Sequence, residues 1–230
     1  MIKDVLNRLN RELPATVKLV AVSKFHPFEA IEEAYRAGQR AFGESRPQEL
    51  LAKVRRLEEI RAERGEPDYM SDIEWHFIGH LQTNKLKMVL PYVSLVQSVD
   101  SVRLLEAINS WAVSNDKIIN VLLEPHVAAE DTKQGLSVSE TIMLLSRTKE
   151  VSALCFKGIM GMATFTDNES VIKSDFADLR DIFDICRSRF PELIGDFSEL
   201  SMGMSDDYPI AVAMGSTIVR IGSMIFGERS

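Results

Sequence analysis

The sequence has little cysteine and little histidine. Its 230 residues include two cysteines, Cys155 and Cys186, and four histidines scattered along the chain. Two cysteines are too few for a disulfide framework and suit a reducing compartment. The histidines form no His-Glu-x-x-His motif and no Cys-x-x-Cys pair accompanies them, so the sequence does not indicate a zinc site.

Long apolar runs and an excess of positive charge are also missing. No run approaches the roughly 18 to 20 apolar residues of a membrane span, and charges from Lys3 onward argue against a signal peptide. The net charge of −7 gives no support for a nucleic-acid-binding surface. We therefore expect a cytoplasmic protein that binds neither nucleic acids nor membranes.

What the chain does have is a regular alternation of apolar, β-branched runs with amphipathic stretches. An amphipathic helix is expected at 2–12, before the first strand. Strands are predicted at 18–23, 41–45, 74–79, 93–99, 117–124, 154–162, 197–202 and 217–221. The helices between them are predicted at 28–37, 47–64, 84–90, 101–114, 137–147, 169–189 and 205–214.

Eight strands that alternate with helices predict an α/β protein with a parallel sheet. A single closed (β/α)8 barrel over residues 1–230, with the extra N-terminal helix, fits this number of units in a chain of this length. An open doubly wound sheet would carry a Gly-x-Gly-x-x-Gly turn after its first strand. Lys24 to Pro27 stand there instead, which disfavours a dinucleotide site.

Lys24 closes the first predicted strand, and a lysine at the end of a core strand needs a reason because its burial is costly. In one interpretation the strand reaches solvent and the lysine extends its ammonium into water. In the other, partial burial lowers the pKa of a lysine that forms a Schiff base. From these residues alone, the first interpretation is the better one.

The last strand ends in Gly222 and Ser223, where barrels often bind a phosphate after strands 7 and 8. A plain turn explains this pair equally simply. Arg220 alternates with its apolar neighbours, so we expect it to point into the barrel and to need an acceptor. That acceptor is either a carboxylate such as Glu124, or a ring nitrogen or anion of a ligand.

Other strand ends carry further polar residues. Ser201 stands where it could donate to a phosphate, whereas Ser205 is expected to cap the following helix. His76 lies between two aromatic residues, which is typical of a buried core histidine. Lys133 falls in a polar loop, which we expect to be a solvated turn.

Several stretches together resemble the pyridoxal phosphate homeostasis proteins, also called the YggS or proline synthetase co-transcribed homologue family. They are residues 20–24, 37–44, 74–85, 200–207 and 215–227, in matching order over nearly the whole chain. The most specific motifs are Trp-His-Phe-Ile-Gly in the third stretch and Leu-Ser-Met-Gly-Met-Ser in the fourth.

The resemblance implies a barrel like the N-terminal domain of alanine racemase, with pyridoxal 5′-phosphate (PLP) held at its carboxyl-end face. Lys24 would carry PLP as a covalent aldimine, and Arg220 would face the pyridine nitrogen. Ser201 and the Gly222–Ser223 pair would hold the phosphate, and Lys133 is carried over as a minor contact. The full set of expected cofactor-binding residues is Lys24, Ser45, His76, Ser201, Met202, Arg220, Gly222 and Ser223.

This chain departs from the family pattern at two of these positions. Ser45 stands where many members have asparagine, so any contact from an asparagine amide falls to a shorter side chain. Ser223 replaces a common threonine and keeps the hydroxyl.

The resemblance further implies a PLP carrier, without a dedicated reaction, that buffers the cofactor or delivers it to PLP-dependent apoenzymes. We expect a monomer. The alternative is a PLP-dependent amino-acid racemase, which needs acid/base groups on both faces of the substrate Cα. Related racemases recruit a tyrosine from a second domain, and here the eight units take up the chain, leaving His76 or Tyr208 as substitutes. A barrel for another phosphorylated metabolite would leave Lys24 unexplained.

Overall fold

The computed structural model describes residues 1–128, 135–193 and 195–227. Its strands are β1 (Lys18–Val22), β2 (Ala41–Glu44), β3 (Glu74–Phe77), β4 (Leu95–Val99), β5 (Ile119–Leu123), β6 (Leu154–Met160), β7 (Glu199–Ser201) and β8 (Ile218–Ile221). Its helices are α1 (Ile2–Glu12), α2 (Phe28–Arg36), α3 (Pro47–Arg64), α4 (Leu86–Val89), α5 (Val102–Ser114), α6 (Val138–Ser146), α7 (Glu169–Arg189), α8 (Tyr208–Ala213) and α9 (Ser223–Phe226).

Within these residues, eight parallel strands close into a barrel in the order of the chain. The closure is the pairing of β1 with β8, in which Val20 lies opposite Arg220. This arrangement confirms the predicted (β/α)8 barrel with an additional N-terminal helix. No helix in the described ranges is both long enough and apolar enough to cross a lipid bilayer.

The barrel interior is apolar at one level and polar at the next. A small apolar cluster inside the barrel consists of Val20, Ala41, Leu95, Leu122, Met160 and Ile218. Two residues further along their strands, the same inward direction is taken by Gln97, Glu124 and Arg220, because side chains in a strand repeat with a period of two. The carboxyl end of the barrel is therefore lined by polar groups that rest on an apolar layer.

The observed elements differ from the predicted ones mainly after β7. The prediction that Ser205 caps the next helix is wrong, since α8 begins at Tyr208. Pro209 fits the first turn of α8, where the backbone N–H that proline lacks would have no helical partner. Asp207 accepts the backbone N–H of Met204 at 2.5 Å, which closes the turn before the helix and leaves Ser205 outside it.

Candidate functional site

A cavity of about 290 Å³ opens at the carboxyl ends of the strands. Four of the eight predicted cofactor-binding residues line it, namely Lys24, Arg220, Gly222 and Ser223. Its volume is at the lower end of the range for small-molecule sites, which begins at about 300 Å³. Residues distant in sequence thus bring an amine, a guanidinium and a hydroxyl to one opening.

The loop that leads from β7 contributes a residue whose role the sequence did not reveal. Ser205 also lines the cavity, and its Oγ lies 3.0 Å from Ser223 Oγ and accepts the backbone N–H of Gly222 at 3.4 Å. A Cβ at Gly222 would lie 3.1 Å from the carbonyl oxygen of Val22, so the backbone here sits close against β1. Two hydroxyls and a backbone N–H therefore converge, which is a donor set that suits an anion. The available sequence signal was the position of Ser205 in the loop after strand 7.

The other four predicted residues are not among those that line the cavity. Ser45 is half-buried, and a Cβ at Gly79 would lie 2.3 Å from the Ser45 carbonyl oxygen, so the ends of β2 and β3 touch there. Met202 is fully buried. Ser201 and His76 are also buried, and both belong to a hydrogen-bond chain inside the barrel.

This series of hydrogen bonds connects Arg220 with His76 across the barrel. Arg220 Nη1 donates to Ser201 Oγ at 2.7 Å, and Ser201 Oγ donates to Gln97 Oε1 at 2.7 Å. The amide nitrogen of Gln97 then faces His76 Nδ1 at 2.8 Å. Because this amide donates to Nδ1, the ring proton of neutral His76 is assigned to Nε2, which points towards Glu74 at 3.8 Å.

Through these hydrogen bonds, Ser201 and Gln97 orient the Arg220 guanidinium. Ser201 donates its hydroxyl proton to Gln97, so its oxygen is the acceptor for the Arg220 guanidinium and holds that group in place. The inward direction of Gln97 follows from the two-residue period of β4, in which Leu95 also points inward. Burial lowers the pKa of His76, opposed by the nearby Glu74 carboxylate, and a neutral ring fits its place in the chain.

Arg220 points into the barrel, as its alternation with Val219 and Ile221 predicted. Besides Ser201, it donates from Nη2 to the Gly161 carbonyl oxygen at 2.8 Å. Burial lowers the pKa of the Arg220 guanidinium to about 10, while the charges of Glu124 and Asp207 oppose that shift. Glu124 thus acts on Arg220 through its charge, and near neutral pH the guanidinium remains a cation at the cavity wall.

Lys24 follows β1 in a turn, half-buried, and its side chain borders the same cavity as Arg220 and Ser223. A lysine that merely reaches solvent would not need to border this cavity, so its position favours the second interpretation, in which Lys24 serves a site. The other predicted lysine, Lys133, lies outside the described residues.

Replacement of Glu124 by glutamine should remove a pH-dependent loss of stability. Burial, followed by the charge of Asp100, raises the pKa of Glu124 from 4.5 to about 7, with Arg220 opposing. The protonated carboxyl is favoured by folding, so its contribution is complete below the unfolded pKa and disappears as the pH rises through about 7. We expect the wild type to lose about 3 kcal/mol relative to E124Q between about pH 4 and pH 8.

Urea unfolding of both proteins across this pH range measures the difference. Replacement of the exposed Glu58 by glutamine serves as the control, and its curve should follow the wild type. Parallel stability curves for wild type and E124Q would contradict the prediction.

Comparisons with known proteins give consistent matches over the whole chain. The family model for the alanine racemase N-terminal domain matches residues 2–230. The pyridoxal phosphate homeostasis protein of Haemophilus influenzae is 36% identical over 215 residues, which cover 94% of this chain and 86% of that relative. The protein of the same name from Mus musculus is 40% identical over 242 residues, with 99% and 83% covered.

A solved structure also matches this chain over nearly its whole length. PipY of Synechococcus elongatus PCC7942, determined with PLP bound, is 33% identical and superposes with a TM-score of 0.85. The match covers 99% of this chain and 100% of PipY.

Proposed function

This chain belongs to the pyridoxal phosphate homeostasis protein family, and from that premise we propose that it binds PLP in the cavity at the carboxyl end of its barrel. The observation that carries the proposal is the cavity lining, which combines Lys24, Arg220, Ser205 and Ser223. PLP offers a matching set of groups, namely an aldehyde, a ring nitrogen and a phosphate.

Each lining residue suits one of these groups. The Lys24 amine would condense with the aldehyde to form a Schiff base, with water as the leaving group. Ser205, Ser223 and the backbone of Gly222 would hold the phosphate through hydrogen bonds. Arg220 would face the ring nitrogen, held in place by Ser201 and the Gly161 carbonyl.

The remaining expected residues would support the site from outside the lining. Ser201 and His76 would act through the chain that orients Arg220, and Met202 would pack beneath it. Ser45 would border the site at the ends of β2 and β3. Ser201 is thereby proposed as a support for Arg220 rather than as a direct phosphate donor, because its hydroxyl proton goes to Gln97.

The proposed role is that of a carrier which buffers PLP or delivers it to PLP-dependent apoenzymes as a cytoplasmic monomer, without a dedicated reaction of its own. Bound PLP supplies an electron sink, and a permanent cation at Arg220 opposes protonation of the ring nitrogen and weakens that sink. The two side chains considered as acid or base for a racemase are engaged elsewhere. Tyr208 donates to Glu12 at 2.9 Å, and His76 lies behind Gln97.

Borohydride reduction tests the PLP assignment. The purified protein is incubated with PLP, reduced, digested and mapped by mass spectrometry. We expect a single modified peptide that contains Lys24. If the protein shows no imine absorption band and no modified Lys24 peptide, the assignment is refuted. That result would favour a barrel for another phosphorylated metabolite.

Deuterium exchange separates a carrier from a racemase. The PLP-loaded protein is incubated with single amino-acid enantiomers in deuterated water at low protein concentration. A carrier should give no turnover-scale exchange at Cα. Exchange on a turnover scale, with conversion of one enantiomer into the other, would identify a racemase instead.

A further inference from the structure

The turn that carries Lys24 is held on both sides by one helix. On α3, Glu49 and Lys53 are four residues apart and therefore share a face. Glu49 Oε2 accepts the backbone N–H of Phe25 at 2.8 Å, and Lys53 Nζ donates to the backbone carbonyl of Ser23 at 2.8 Å. These two contacts fix the residues immediately before and after Lys24.

Phe25 has a backbone conformation that needs support. Its φ of +68° lies in the left-handed region, which residues with a Cβ rarely adopt. Arg46 lies over the Phe25 ring, with Cζ 4.3 Å from the centroid, and its Nη1 is 3.3 Å from Glu49 Oε1. Such strained residues persist where their surroundings hold them, and they are found at ligand clamps. Loss of the Glu49 contact would let the Lys24–Phe25 peptide rotate and redirect the lysine.

Ser23 is fixed through both its hydroxyl and its carbonyl. The hydroxyl donates to Glu44 Oε1 at 2.6 Å, and the same carboxylate oxygen lies 2.5 Å from Lys53 Nζ. Glu44 is fully buried, so Lys53 also supplies the positive charge that this carboxylate needs. The backbone N–H of His26 adds a third contact, to the Ser23 carbonyl at 3.1 Å.

The turn and α3 also border an open groove beside these polar contacts. The groove has a volume of about 500 Å³ and is lined by residues 25–28 and by Glu49, Ala52, Lys53 and Arg56 of the helix. Glu49 and Lys53 therefore lie at the wall of this groove, next to the turn that they contact.

We propose that Glu49 and Lys53 are positioning residues that aim Lys24 at the aldehyde of PLP by clamping the backbone on both sides of it. The inference rests on the proposed function, in which Lys24 forms the Schiff base. Neither clamp residue lines the Lys24 cavity, so the clamp should affect the covalent bond and leave the hold on the phosphate and ring unchanged.

A pair of ligands separates these two effects. Pyridoxine 5′-phosphate carries an alcohol in place of the aldehyde of PLP, so it can occupy the site without a Schiff base. The ratio of its dissociation constant to that of PLP measures the gain from the covalent bond. In E49A this ratio should fall about tenfold, with the affinity for pyridoxine 5′-phosphate unchanged. E49Q keeps a carbonyl acceptor for the Phe25 N–H and should restore the wild-type ratio.

The Lys53 half of the clamp is tested in a charge-neutral background. The E44Q/K53M double variant avoids an unpaired buried carboxylate and should also lower the ratio. E58A, on the same helix and away from the turn, is the control and should match the wild type. The imine absorption of each protein in saturating PLP should fall in parallel with the ratio.

The outcomes distinguish the clamp from the proposed function. If the wild type and K24A bind the two ligands with the same ratio, the Schiff base at Lys24 is refuted. If K24A loses the PLP preference while E49A and the double variant keep it in full, the Schiff base stands and the clamp is refuted. Equal loss of affinity for both ligands in E49A would also refute the clamp, since it would show general damage to the site.

Discussion

Replacement of Lys24 by alanine is expected to abolish covalent retention of PLP. The Schiff base requires a primary amine at the cavity wall, and Lys24 is the residue that the turn after β1 brings there. The variant should lose the imine absorption band and should release all PLP on dialysis after borohydride treatment. Its affinity for PLP should fall by about a hundredfold, or about 3 kcal/mol, as measured by fluorescence titration.

Two controls make this result specific. Replacement of the exposed Lys87 by alanine should leave PLP retention unchanged. Circular dichroism and thermal unfolding of the Lys24 variant should match the wild type, because a half-buried turn residue contributes little to the core. Retention of reducible PLP by the variant would show that another lysine carries the cofactor.

Of the variants described, replacement of Lys53 by methionine is expected to lower the free energy of unfolding the most. Lys53 is buried and its ammonium lies 2.5 Å from Glu44 Oε1, while Glu44 is completely excluded from solvent. Among the described residues, Glu44 Oε2 has no hydrogen-bond partner, so the charge of Lys53 is its main compensation. Removal of one member of a buried pair typically costs 3–5 kcal/mol, and we expect a loss of about this size.

Urea unfolding measures this loss, and the double variant provides the matched control. E44Q/K53M removes both charges and should recover most of the stability, since no buried ion is left without a partner. R56M changes a more exposed cation on the same helix and should leave the unfolding free energy nearly unchanged, because solvent screens its ion pairs. A K53M variant as stable as the wild type would show that Glu44 is neutral in the folded protein.

Much of the site followed from local sequence because it depends on strand ends. Lys24, Gly222 and Ser223 each stand directly after an apolar run, and a closed barrel brings all such positions to one face. The inward direction of Arg220 followed from the two-residue period of β8. These features depend only on the neighbouring residues along the chain.

Other features had a sequence signal that was ambiguous. Lys53 falls on the apolar stripe of α3 between Leu50 and Leu57, which is an unusual place for a lysine. Ser205 fitted a helix cap as well as a ligand contact. In the structure α8 begins later, with Pro209 in its first turn and the Asp207 contact to the Met204 N–H closing the turn before it.

The sequence by itself determined the barrel, its closure order and the residues at its carboxyl end, since these follow from periodicity and from the handedness of β/α units. The tertiary structure alone decided which polar groups share a cavity and which support it from beneath. Ser201 contacts Gln97 across 104 residues, and Ser23 contacts Lys53 across 30. Such contacts depend on how strands tilt and helices pack, and a local pattern of apolar and polar residues does not specify that geometry.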